Sequence, residues 1–115
     1  MNASLSLHVT DAVSGNPIPG MRVQAYWVEP GGDVLLRAAS TNDAGTTAAP
    51  LVSGAKLSAG VYKLVLHAGD WLATAHADRP RCVDLVPVVI VVEDAAVGRR
   101  VDVTLAADGY AVRCV

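Results

Sequence analysis

Alternation dominates this chain. In the first run, Leu5, Leu7 and Val9 point one way, while Ser6, His8 and Thr10 point the other. Such a period predicts a half-buried strand. A turn signal follows, Gly15-Asn16-Pro17-Ile18-Pro19-Gly20. Met21 to Val28 and Asp33 to Ser40 read as strands joined by the Pro30-Gly31-Gly32-Asp33 turn, a hairpin. Thr41 to Gly45 is a further turn, with a short extended piece expected at Thr46 to Thr47. Val61 to His67 is the next strand. Gly69 to Ala77 is the one convincing helix, rich in Ala and Leu, with Asp70 as its expected cap.

Three further strands close the pattern. Leu85 to Val92 is almost wholly apolar, and Pro87 places it at a sheet edge, because proline cannot donate to a ladder. Such an edge invites pairing with a second copy of the chain. Arg99 to Ala107 alternates, with Val101, Val103 and Leu105 toward the core and Arg100, Asp102, Thr104 and Ala106 opposite. A one-residue slip would bury Arg100 and Asp102, which is costly. Tyr110 to Val115 is a short last strand. Many short strands, frequent turns and one helix argue for an all-β, two-sheet sandwich. The length, 115 residues, fits one domain over 1–115.

Composition sharpens this picture in two respects. Hydrophobic residues make up 52% and charged residues 17%, so more apolar surface is available than one small core needs, and a subunit interface is expected. The net charge of −2, with no basic cluster, argues against nucleic acid as a partner. The longest apolar run is too short to span a membrane. Nothing resembling a secretory signal precedes the first strand, from Met1-Asn2-Ala3-Ser4 onward, so a cytoplasmic location is expected. The two cysteines, Cys82 and Cys114, are read as free buried thiols, with a single disulfide as the alternative. No cluster has metal-ligand spacing, and no cofactor is called for.

The motifs, taken in order, resemble the transthyretin family, and within it the 5-hydroxyisourate hydrolase branch. Leu7-His8-Val9-Thr10-Asp11 with Gly15-Asn16-Pro17 is similar to the THVLD…G.PA opening. Thr41 to Thr46 resembles the TN.DGR turn, Leu57 to Leu64 resembles L..G.Y.L, Gly69-Asp70-Trp71 resembles GDYF, and Val86 to Val92 resembles VP..F.I. The resemblance implies a transthyretin-like sandwich of about eight strands with one short helix. It also implies a homotetramer, built as a dimer of dimers through the apolar strand and the last strand. A central channel would then hold two sites for a small molecule.

The same resemblance exposes departures. The hydrolase branch sets a histidine on the first strand, an arginine after the TN.DG turn, a histidine on the seventh strand and a C-terminal Tyr-Arg-Gly-Ser in that channel. His8 is retained. The arginine position is Thr46, and the chain ends Tyr110-Ala111-Val112-Arg113-Cys114-Val115. On the seventh strand either Asp102 or Arg100 takes the histidine position, according to register. The channel then reads His8, Thr10, Thr46, Asp102 and Thr104, with Arg100 or Arg113 at its edge.

A carboxylate beside an imidazole raises its basicity and orients its tautomer, so His8 and Asp102 form a candidate acid–base pair. Thr10, Thr46, Arg100, Thr104 and Arg113 are candidate substrate contacts. An arginine holds an anionic or carbonyl-bearing group in bidentate fashion. A surface ion pair of Asp102 with Arg100 or Arg22 is the plainer alternative. Cys114 is a weaker candidate nucleophile, and His67 and His76 are expected to face solvent. Three functions fit. The first is a divergent enzyme acting on a small cyclic, carbonyl-rich metabolite by hydrolysis, cyclisation or isomerisation, such as one recruited to secondary metabolism. The others are 5-hydroxyisourate hydrolase of purine catabolism and a non-catalytic binding tetramer.

Overall fold

The computed structural model describes residues 3–78, 80 and 82–115; Met1 and Asn2, read above as leading into the first strand, lie outside them. Eight strands build two four-stranded sheets. They are β1 (Ser4–Asp11), β2 (Arg22–Glu29), β3 (Gly32–Ser40), β4 (Val52–Ser53), β5 (Gly60–His67), β6 (Leu85–Val92), β7 (Arg99–Ala106) and β8 (Gly109–Cys114). One sheet runs β4-β1-β7-β8 and the other β3-β2-β5-β6. Helix α1 (Ala68–Ala75) follows β5 directly.

The alternation read from the sequence sets the faces. Leu5, Leu7 and Val9 of β1 and Val101, Val103 and Leu105 of β7 are buried against Val23, Ala25, Tyr62, Leu64 and Leu66 of the opposite sheet. Each such side chain contributes about 1.5–3 kcal/mol by leaving water. Tyr62 brings a polar atom into this core and satisfies it. Its hydroxyl donates to the Ser58 carbonyl (2.9 Å) and accepts from the Ser58 N–H (3.0 Å). Trp27 packs edge-on against the same ring, with centroids 5.1 Å apart.

Two loops on the β1 side are tied together by Thr41, the one buried polar residue among those described. Its hydroxyl donates to the Ile18 carbonyl (2.7 Å) and accepts the Met21 N–H (2.9 Å). The turn that follows lies directly on β1. The Gly45 carbonyl accepts the Val9 N–H at 2.9 Å. Gly45 has φ of 77°, and a Cβ there would sit 2.5 Å from the Val9 carbonyl oxygen, so only glycine fits.

Several expectations need correction. Thr46 and Thr47 are not extended. Asn42 closes a turn on Thr46 instead, and the short strand is Val52–Ser53. Asp70 does not cap α1. His67 holds the N-cap position without a side-chain hydrogen bond, and Asp70 sits in the first turn, where it favours the helix dipole. The helix also ends at Ala75, two residues before the expected Ala77. The cysteines are free but exposed rather than buried. Cys114 lies on β8, an edge strand with little packed over it.

The expected edge position of Leu85–Val92 holds: β6 ends its sheet, as β8 ends the other. On β6, Val86, Val88, Ile90 and Val92 are buried, and Leu85, Val89 and Val91 remain exposed. On β8, Tyr110 and Val112 are also exposed. Both edge strands therefore carry uncovered apolar side chains.

Candidate active site

The site rests on an uncommon strand pair. β1 runs parallel to β7, and this register sets His8 beside Asp102, Ser6 beside Arg100 and Thr10 beside Thr104. β8 pairs antiparallel with the other side of β7, setting Arg113 beside Asp102 and Ala111 beside Thr104. One row across three strands thus reads His8, Asp102, Arg113. All three belong to the polar face, because their neighbours Leu7, Val9, Val101 and Val103 fill the core.

A groove of about 340 Å³ opens on this face, lined by His8, Thr10, Asp102, Thr104, Ala111, Val112 and Arg113. His8 Nδ1 lies 3.9 Å from Asp102 Oδ1, with the two side chains 33% and 25% exposed. That distance is beyond a hydrogen bond but within direct electrostatic reach. The Thr10 and Thr104 hydroxyls lie 3.4 Å apart along the next row. The turn at Gly45 approaches the ring of His8: a Cβ on Gly45 would lie 3.4 Å from His8 Cδ2.

Of the residues singled out from sequence, His8, Thr10, Asp102, Thr104 and Arg113 share this groove. Arg100 stands beside it. Its Nε–H donates to Asp102 Oδ1 (2.9 Å) and its Nη2–H to Oδ2 (3.1 Å). Thr46 follows Gly45, but its hydroxyl donates to Asn42 Oδ1 (3.3 Å) within its own turn, and it does not line the groove. Cys114 pairs with Val101 and points away from the groove. The sequence reading missed Ala111 and Val112 as lining residues; the shared parity of Ala111 and Arg113 was the available signal for Ala111, whereas Val112, opposite the core-facing Val103, offered none.

His76 does not face solvent as expected. Its side chain is 12% exposed, its Nε2 lies 3.3 Å from Asp11 Oδ2, and its ring stands edge-on to Trp71. Nε2 is buried without an aligned hydrogen bond. His67 is half-buried, with Nε2 3.3 Å from Gln24 Oε1. Among the described residues, no three of His, Cys, Asp and Glu converge to hold a metal ion. No described helix is long and apolar enough to cross a membrane.

Two sheets of four strands, a short helix after the fifth strand and a polar face centred on the β1–β7 pair define a transthyretin-like sandwich. The chain belongs to the HIUase/Transthyretin family, whose model matches residues 5–112. It is 34% identical to 5-hydroxyisourate hydrolase 2 of Rhizobium meliloti over 108 residues, which is 92% of this chain and 90% of that protein. Among solved structures, (S)-allantoin synthase superposes with a TM-score of 0.90 at 19% identity, covering 99% of this chain and 44% of the other. Transthyretin from Sparus aurata superposes at 0.86 and 16% identity, covering 98% and 97%. At these identities the structural likenesses establish the fold.

Proposed function

We propose that this chain is a divergent enzyme of its family that opens or rearranges a small cyclic, carbonyl-rich metabolite by acid–base chemistry. The observation that carries this reading is the His8–Asp102–Arg113 row in an open groove. In hydrolysis, His8 takes a proton from water as the oxygen adds to a ring carbonyl, then returns it to the leaving nitrogen. Asp102 orients the imidazole and stabilises its cation. Arg113, which forms no ion pair among the described residues, binds a carbonyl or anionic oxygen of the ring. Thr10 and Thr104 supply hydroxyls along the groove floor. Ring closure or isomerisation would use the same groups.

The groove is open on one chain. The exposed apolar side chains on edges β6 and β8 support assembly of copies into a homotetramer, with the groove facing an inter-subunit channel. Such an enzyme is expected in the cytoplasm.

A second reading is 5-hydroxyisourate hydrolase itself. The 34% identity along 92% of the chain favours it, and the replaced position Thr46 weighs against it. One assay separates the two. Urate and urate oxidase generate the intermediate, and its ultraviolet absorbance is followed with and without this protein. Decay at the spontaneous rate removes the second reading and leaves a changed substrate. Accelerated decay that His8→Ala abolishes makes the chain a hydrolase. Tight ligand binding without turnover, unaltered by His8→Ala, replaces both with a non-catalytic binder.

A further inference from the structure

Asp102 has two neighbours on the groove face. One is His8, across the strand pair at 3.9 Å. The other is Arg100, two residues earlier on β7, whose guanidinium occupies both carboxylate oxygens at 2.9 and 3.1 Å. Oδ1 is common to both neighbours: it accepts from Arg100 Nε and is the oxygen nearest His8 Nδ1.

We propose that Arg100 is a positioning residue: it clamps the Asp102 carboxylate so that Oδ1 faces His8 Nδ1, selecting the ring tautomer that leaves Nε2 free to take a proton. This rests on the reading of His8 as the base. The torsion that turns an aspartate carboxylate is broad and two-fold, so an unclamped Asp102 would present its oxygens in many planes. A bidentate guanidinium–carboxylate pair removes that freedom, because both N–H bonds are satisfied in one plane only. Lysine cannot do this, having a point charge in place of a fork.

The pair has little to do as a stabiliser. Arg100 is 57% exposed, and exposed ion pairs contribute about 0–1 kcal/mol. Its consequence lies in orientation and in charge. In this role Asp102 orients the ring and His8 accepts the proton. With its fork occupied, Arg100 is also withdrawn from ligand binding, which leaves Arg113 as the groove arginine with no ion pair among the described residues.

Nitrogen-15 NMR of the His8 ring tests this in the ligand-free protein at a pH where the ring is neutral. In the wild type the Nδ1–H tautomer is expected to predominate. In Arg100→Gln its ratio to the Nε2–H tautomer should fall about fivefold, because the Oδ1 charge 3.9 Å from Nδ1 loses its fixed direction. Arg100→Lys should restore the ratio in part. Asp102→Asn should remove the bias in a folded protein. An unchanged ratio in Arg100→Gln, or in Asp102→Asn, overturns the proposal. The companion kinetic expectation is a kcat reduced about tenfold in Arg100→Gln with KM nearly unchanged. The NMR ratio needs no substrate, so it separates failure here from failure of the base reading, which retained turnover in His8→Ala would bring.

Discussion

Among the described residues there are two histidine–aspartate pairs, and their surroundings assign them different work. His8 and Asp102 sit 3.9 Å apart on neighbouring strands, each partly open to a groove. His76 and Asp11 sit 3.3 Å apart, with side chains only 12% and 14% exposed. The second pair joins the end of α1 to the end of β1, and Trp71 packs against its ring. Asp11 is committed further, accepting the Val13 N–H at 2.9 Å. A ligand cannot reach such a pair, so it acts as a brace between elements. The looser pair is the one that fits chemistry, because an approaching molecule has room to meet His8. Closeness of two ionisable groups therefore does not mark a site; access and a third charged group do.

The largest effect should come from the open pair. His8→Ala is expected to lower turnover of the wild-type substrate by about 10²–10⁴-fold, the usual worth of a general base. Its Tm should stay close to wild type, since the ring packs no core. Steady-state kinetics with a thermal melt decide it, and a retained kcat would dissolve the contrast between the pairs. His76→Ala should do the reverse. Loss of the ring from beside Trp71 and Asp11 should cost about 1–3 kcal/mol in urea unfolding, with kcat unchanged. A fall in kcat beyond the loss of folded protein would tie the brace to the site.

Smaller effects sharpen the roles within the groove. Arg113→Ala should raise KM about tenfold while kcat changes little, if its guanidinium binds substrate before and during reaction alike. A kcat loss with unaltered KM would instead make Arg113 a transition-state contact. Smallest is Thr46→Ala. Its hydroxyl serves Asn42 within the turn, so stability should drop by about 0.5–1.5 kcal/mol and kcat/KM should barely move. A marked kinetic defect would return Thr46 to the site.

The two pairs also differed in how legible they were. His8 was visible because it breaks no rule of its strand: Leu5, Leu7 and Val9 define a buried face, and a histidine opposite them is conspicuous. Asp102 was named as its candidate partner, but the register stayed open, since Arg100 occupies the same face two residues away. His76 was misread as solvent-facing because nothing near it in the chain announces Asp11 or the fold of α1 back onto β1. Thr46 was placed in a strand because its own residue type favours one. The Asn42 side chain captured it instead, a competition that local propensity does not resolve. The cysteines were placed inside because thiols are commonly buried, whereas Cys114 sits on an edge strand.

What the sequence alone determined was which residues share a face. A strand repeats every two residues, so Leu7 and His8 part company whatever the rest of the chain does. The family motifs likewise ordered the strands and the helix. What only the tertiary structure decided was which faces meet and in what register. Thr10 and Thr104 are 94 positions apart, and their contact depends on β1 and β7 lying parallel in one sheet. No local preference encodes that offset. It emerges when Leu5, Leu7, Val9, Val101, Val103 and Leu105 bury together against the opposite sheet, and His8, Asp102 and Arg113 are carried into one row by that packing.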